Sequence, residues 1–185
     1  MGWLYQNKPS TQKTVEYFEK GLSFDDETYT QRVLKIAQVR MSVVYAAVER
    51  ITKATGKREV WAFVALVRYV PNSTYNFGYK DMDETVGPCE CDCPESILDL
   101  LMPTEFEYAI EWRKKCRARI AMMKTIHKGC VLTFAEPIKF NSGFTAAQFT
   151  VVHAGRGWLR AIGDPMLCRV SRDLLLTGTV GAPVA

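Results

Sequence analysis

The residues of this chain whose types and spacing could do chemistry gather in one stretch, Gly78 to Asp99. Tyr79, Lys80, Asp81, Asp83 and Glu84 follow one another closely there. In an extended backbone Asp81 and Asp83 share a face, because strand side chains alternate with a period of two. Such a carboxylate cluster could hold a divalent cation, or divide the roles of general acid and base. Tyr79 and Lys80 add a candidate for proton transfer. No glycine-rich phosphate loop lies nearby to recruit a nucleotide, however, and an acidic turn between a strand and a helix is commonly just solvated.

The same stretch carries Cys89, Cys91 and Cys93, three thiols at alternate positions that would point to one side of an extended chain. Thiolates so close could take zinc, with Asp92, Cys116 or His127 completing the shell. Structural zinc normally uses two-residue gaps within each ligand pair, and no second Cys-x-x-Cys or His-x-x-x-His is present, so a reactive thiol and ordinary loop cysteines stand beside the zinc reading. Cys130 and Cys168 sit among apolar residues and are expected in the core. His127 lies in a basic linker and His153 in an expected strand, neither with an evident partner. No serine occupies a nucleophile elbow.

Charge is unevenly placed. The net charge is only +4. Yet seven bases and no acid lie between Arg113 and Lys128, soon after the acidic stretch. Either an acidic loop and a basic helix attract each other within the fold, or Arg113, Lys114, Lys115, Arg117 and Arg119 face a phosphate backbone or an acidic partner.

These residues must be positioned by an ordinary folded chain. Of the 185 residues, 48% are apolar and 24% charged, the balance of a globular domain. No run is long enough for a signal peptide or a membrane span, and a cytoplasmic location is expected. Pro9-Ser10-Thr11 predicts a helix capped by Ser10 or Thr11, with Val15, Phe18 and Leu22 on one face. Between Thr30 and Ile51 the apolar residues fit both helical and alternating patterns, and β-branched content from Met41 onward favours strand. Val60 to Val67 is almost continuously apolar and predicts a central strand buried on both faces. A turn at 71–73 then leads to a third strand, Tyr75 to Lys80.

Pro94-Glu95-Ser96 predicts a helix with Leu98, Leu101 and Met102 on its apolar side. Thr104 predicts the cap of a second, burying Phe106, Ala109, Ile110, Trp112 or Arg113, Cys116 and Ile120. After Gly129 come short strands broken at Pro137, Asn141 to Gly143, Ala154 to Gly157 and Gly163 to Pro165. The expected architecture is α+β: an antiparallel sheet flanked by two or three helices over residues 1–125, a small SH3-like β-barrel over 129–177, and a flexible tail over 178–185.

The Met-Gly-Trp start, Val39-Arg40-Met41 with Tyr45-Ala46-Ala47-Val48-Glu49, and Phe77-Gly78-Tyr79-Lys80-Asp81-Met82-Asp83-Glu84 with Gly87-Pro88 and Cys93-Pro94 resemble an uncharacterised bacterial family carried on plasmids, phages and other mobile elements. The resemblance implies no reaction and no catalytic residue. It implies a context in which proteins of this size often evade host defences, as anti-CRISPR or anti-restriction factors. The expected function is therefore a non-enzymatic protein that binds and inhibits a nucleic-acid-handling complex, with a protein or nucleoprotein of a host defence system or nucleic acid itself as partner. The alternative is an enzyme that uses the Tyr79 to Glu84 cluster, with or without a metal, to modify a nucleotide or a protein.

Overall fold

Residues 30–40 and 43–51, within the span whose apolar residues fit both helix and strand, form strands, because β-branched side chains pack on a pleated surface and lose rotamer freedom in a helix. A computed structural model describes residues 4–40, 43–67, 75–82 and 91–182. The expected turn at 71–73, and Asp83, Glu84, Gly87, Pro88 and Cys89, lie outside the described residues. Among those described, the chain is mixed α+β, its sheets antiparallel throughout. It divides into two compact units, Met1–Arg117 and Ala118–Ala185.

In the first unit the elements are β1 (Leu4–Gln6), α1 (Thr14–Leu22), β2 (Phe24–Asp25), β3 (Tyr29–Arg40), β4 (Val43–Thr52), β5 (Arg58–Val67), β6 (Phe77–Asp81), α2 (Glu95–Leu98) and the start of α3 (Glu107–Thr125). The strands form one sheet in the order β1-β6-β5-β4-β3-β2. As its apolar run requires, β5 is interior, and each residue from Val60 to Ala65 is buried. Alternation divides the side chains between two faces. Phe18 and Leu22 of α1 cluster with Val44, Ala46, Val48, Trp61 and Phe63 on one. On the other, Tyr45 stands with its ring centroid 6.2 Å from that of Trp112.

Several local expectations are corrected. The N-cap of α1 is Lys13, with no side-chain hydrogen bond. Ser10 and Thr11 lie instead in the turn closed by Gln12 N donating to Pro9 O at 3.1 Å. The helix α2 is one turn that ends before Leu101 and Met102, and Pro103 disfavours helical backbone at Met102. Met102 N donates instead to Val60 O at 2.9 Å, along the edge of β5. The long helix starts at Glu107 rather than beside Thr104, whose hydroxyl accepts from Phe106 N at 3.2 Å. Its buried stripe is Ala109, Trp112 and Cys116, at spacings of three and four. Ile110, one position off that stripe, is exposed.

The second unit holds β7 (Val131–Lys139), β8 (Thr145–His153), a 3-10 turn (Ala154–Arg156), β9 (Trp158–Ala161), β10 (Leu167–Arg169), α4 (Arg172–Leu175) and β11 (Thr179–Gly181). The sheet order is β10-β9-β8-β7-β11. Leu132, Phe134, Phe149, Val151, Leu159 and Leu175 dominate its core. Cys130 and Cys168 are buried there as expected, and burial pushes the Cys168 thiol above its ordinary range. Two expectations fail. Pro137 does not end a strand but lies within β7, where the register shifts between Thr133 and Ile138 and a ladder donor can be spared. The tail is not frayed from Gly178, because Thr179–Gly181 pairs with β7 and places Val180 opposite Leu132. Sequence-local composition could not show this pairing, which joins positions almost fifty residues apart.

Candidate nucleic-acid interface

The residues from Gly78 to Asp99 are distributed by the strand pleat rather than collected into one site. Tyr79 pairs with Ala65 and Lys80 with Val64, so the two side chains point to opposite faces of the sheet. Lys80 is only 1% exposed, with its ammonium nitrogen 5.4 Å from the ring centroid of Tyr108. Asp81 returns to the face of Tyr79. A proton-transfer pair of Tyr79 and Lys80 is therefore not formed. Cys93 is buried and Cys91 half-buried. Asp92 accepts from Arg40 Nη2 at 2.6 Å and from the Tyr45 hydroxyl at 2.7 Å, which ties this segment to β3 and β4. Among the described residues, no three His, Cys, Asp or Glu side chains gather in a group that could hold a metal ion.

The helix bases are largely engaged within the protein. Arg113 Nη1 donates to Met102 O at 2.6 Å. Arg117 donates to Asp99 Oδ1 at 3.0 Å and to Leu98 O at 3.3 Å. Arg119 pairs with Asp173 at 2.6 Å, and Lys115 lies 3.7 Å from Glu111. The attraction between acidic and basic segments is thus partly internal, through Asp99 and Arg117. Lys114 and Lys115 keep exposed side chains.

A different set of bases faces outward. From Ala118 to Ala185 there are eight Lys or Arg against three acids (Glu136, Asp164 and Asp173), a net +5, whereas Met1–Arg117 carries sixteen against seventeen. The strands β8, β9 and β10 contain no acid at all. On β9, Leu159 and Ala161 are buried, which turns Trp158 and Arg160 outward; on β10, Cys168 is buried, which turns Leu167 and Arg169 outward. The register sets Arg169 directly opposite Trp158, and Leu167 directly opposite Arg160. Thr150 of β8 flanks Arg160 on its other side. Opposite positions bring Cβ atoms within about 5 Å, so these groups form one patch. Arg160 and Arg169 are exposed and Trp158 half-buried.

The loop before β9 is built tightly beneath this patch. His153 Nδ1 accepts from Arg156 N at 3.3 Å and caps the 3-10 turn. Gly157 follows with φ +67°, in the left-handed region. Exposed Arg156 is delivered to the same end of β9. The nearby acid Asp164, in the turn between β9 and β10, accepts from Met166 N at 2.7 Å.

The expectation from sequence rested on helix bases and omitted Trp158, Arg160 and Arg169. The alternation Trp158-Leu159-Arg160-Ala161 and Leu167-Cys168-Arg169 carries them: the apolar phase faces the core and the basic phase does not.

Residues 103–173 match the model of a domain of unknown function, DUF6927, which is consistent with an uncharacterised family. The matched span includes both α3 and β7 to β10. No curated protein and no solved structure matches the chain. No helix among the described residues is long and apolar enough to cross a membrane.

Proposed function

We propose that this protein is a non-enzymatic nucleic-acid-binding protein, and that its Ala118–Ala185 unit takes a single strand on the outward face of β8, β9 and β10. The observation that carries this reading is Trp158 set among Arg160, Arg169 and Arg156 on strands without an acid. An aromatic plane stacks on a base whatever its identity, and guanidinium groups beside it meet the phosphates. Thr150 and Gln148 add neutral donors on the same face. The reading of this sheet as a small SH3-like barrel, and of the first as flanked by its helices, belongs to the same proposal.

The resemblance to mobile-element proteins supports a wider role. By occupying nucleic acid, or a complex that handles it, the protein would inhibit a host defence system in the cytoplasm, as an anti-CRISPR or anti-restriction factor does. Of the helix bases, Lys114 and Lys115 are the ones whose exposure suits a further contact with such a partner.

Fluorescence anisotropy with labelled single-stranded DNA and RNA tests the interface. Binding is expected at low salt and should weaken as salt rises, because phosphate contacts release counterions. The double variant Arg160→Glu, Arg169→Glu should bind about tenfold or more weakly, at least 1.4 kcal/mol. Trp158→Ala should lose about 1–3 kcal/mol, the usual range for one stacked base. Binding that is absent at low salt, or that survives the double charge reversal in a folded variant, overturns the proposal.

A further inference from the structure

The first unit holds a separate cavity of about 600 Å³ at the start of β5. Arg50, Glu59 and Trp61 line it from the sheet, and Met102, Pro103 and Glu105 from the segment beyond α2. Its size is that of a small-molecule site.

Arg50 is held there in an unusual manner. Its guanidinium carbon lies 4.7 Å from the ring centroid of Trp61 and 5.1 Å from that of Tyr29, so two aromatic faces hold it. Its Nε and Nη2 both donate to Gln31 Oε1, at 3.0 and 2.9 Å. Gln31, itself buried, is fixed in turn by donating from Nε2 to Leu22 O at 2.8 Å. One edge of the guanidinium is thereby committed. The Nη1 end has no partner among the described residues, and no carboxylate pairs with Arg50 there. Glu59, opposite it in the register, pairs with Lys57 at 2.8 Å. Arg58, a further lining base, is held by Glu49. Arg50 is thus an oriented cation at the wall of a cavity, with no carboxylate partner among the described residues. Beside it Trp61 is only 6% exposed, and its Nε1 is buried without an acceptor among the described residues.

A rigid guanidinium with a free pair of N–H groups matches a carboxylate, which accepts two parallel hydrogen bonds. The remaining lining selects among anions. Glu105 opposes a multiply charged group, whereas Met102 and Pro103 offer apolar surface to the body of a ligand. We propose that this cavity binds a small monocarboxylate with an apolar body. The Arg50 guanidinium takes the carboxylate, beside the Trp61 ring on which it is stacked.

Benzoate is a suitable probe, with benzamide as its neutral counterpart and inorganic phosphate as the competing anion. In a ¹H–¹⁵N spectrum of the full chain, the Trp61 indole N–H, assigned through Trp61→Phe, should shift on benzoate addition with millimolar or tighter affinity. Benzamide and phosphate should each bind at least tenfold more weakly. Arg50→Gln should abolish the shift. Arg50→Lys, which keeps the charge but not the fork, should weaken it about tenfold and tests the geometry if the glutamine variant does not fold. No shift of the indole signal at millimolar benzoate, equal binding of benzamide, tighter binding of phosphate, or an unchanged response in Arg50→Lys would each overturn the proposal. Because this site and the outward face of β8 to β10 are built from different residues, neither test bears on the other.

Discussion

Replacing Gly157 by alanine is expected to destabilise the protein by about 3 kcal/mol or more, enough to unfold much of the second unit near room temperature. Two independent penalties coincide at this position. The backbone has φ +67°, where a β-carbon meets the following carbonyl at a cost of roughly 1–2 kcal/mol. A β-carbon there would also lie 2.1 Å from Val170 O, well inside contact distance. Backbone, unlike a flexible side chain, has no rotamer by which to withdraw. Val170 N donates to Gly157 O at 2.9 Å, so the substitution would also part a main-chain bond between the two segments. Chemical denaturation should show the loss, and hydrogen exchange should place it at the amides of β9 and β10. A variant of unchanged midpoint, with protected β9 amides, would refute this account. Gly143, with φ +84° and nothing within 4 Å of an added carbon, is the internal control: alanine there should carry only the conformational penalty.

Removing the carboxylate of Glu49 is expected to have the second large effect. Its side chain is 3% exposed and held on both oxygens, by Arg58 Nε to Oε1 at 2.6 Å and by Arg32 Nε to Oε2. The hydrogen bond from Arg58, with further help from Arg32, keeps the carboxyl below its ordinary value despite desolvation, which acts in the opposite direction. Glu49→Gln leaves two guanidinium groups facing a neutral amide. Because both arginines are more than half exposed, the loss is that of hydrogen bonds to a charged group, about 1.5–3 kcal/mol. The sign with pH follows from linkage. A carboxyl whose folded pKa is depressed contributes stability that is complete above its unfolded value, near 4.5, and lost as pH falls through the lower folded value. Unfolding free energy measured between pH 7 and pH 3 should therefore fall less steeply for Glu49→Gln than for the unchanged protein. Parallel curves would show that Glu49 does not titrate with folding.

Much of the frame was legible from local pattern. The apolar run at Val60 demanded burial on both faces, and β5 lies inside the sheet. The dual periodicity after Thr30 was harder, because Ala37, Met41 and Tyr45 satisfy either template. What resolves it is pairing: β3 finds β4 on one side, and β4 finds β5 on the other. Helix ends were misread where a distant partner decides them, as when Met102 leaves the helical path for the edge of β5.

The candidate site shows the same division. The sequence by itself determined which residues can carry charge or stack, where bases outnumber acids, and which alternate positions in Trp158–Ala161 and Leu167–Arg169 must face the core, since side-chain chemistry and the strand period are local properties. It could not tell which charges were already spent. Asp99 meets Arg117 across eighteen positions, and Asp173 meets Arg119 across fifty-four, so two of the helix bases that looked available are engaged. Likewise, Tyr79 and Lys80 are neighbours in the chain that the pleat sends to opposite faces. Only the tertiary structure decided which cations remain outward at Arg160 and Arg169, and which, at Arg50, is oriented with no carboxylate partner among the described residues, because compensation depends on distances between segments that local sequence does not encode.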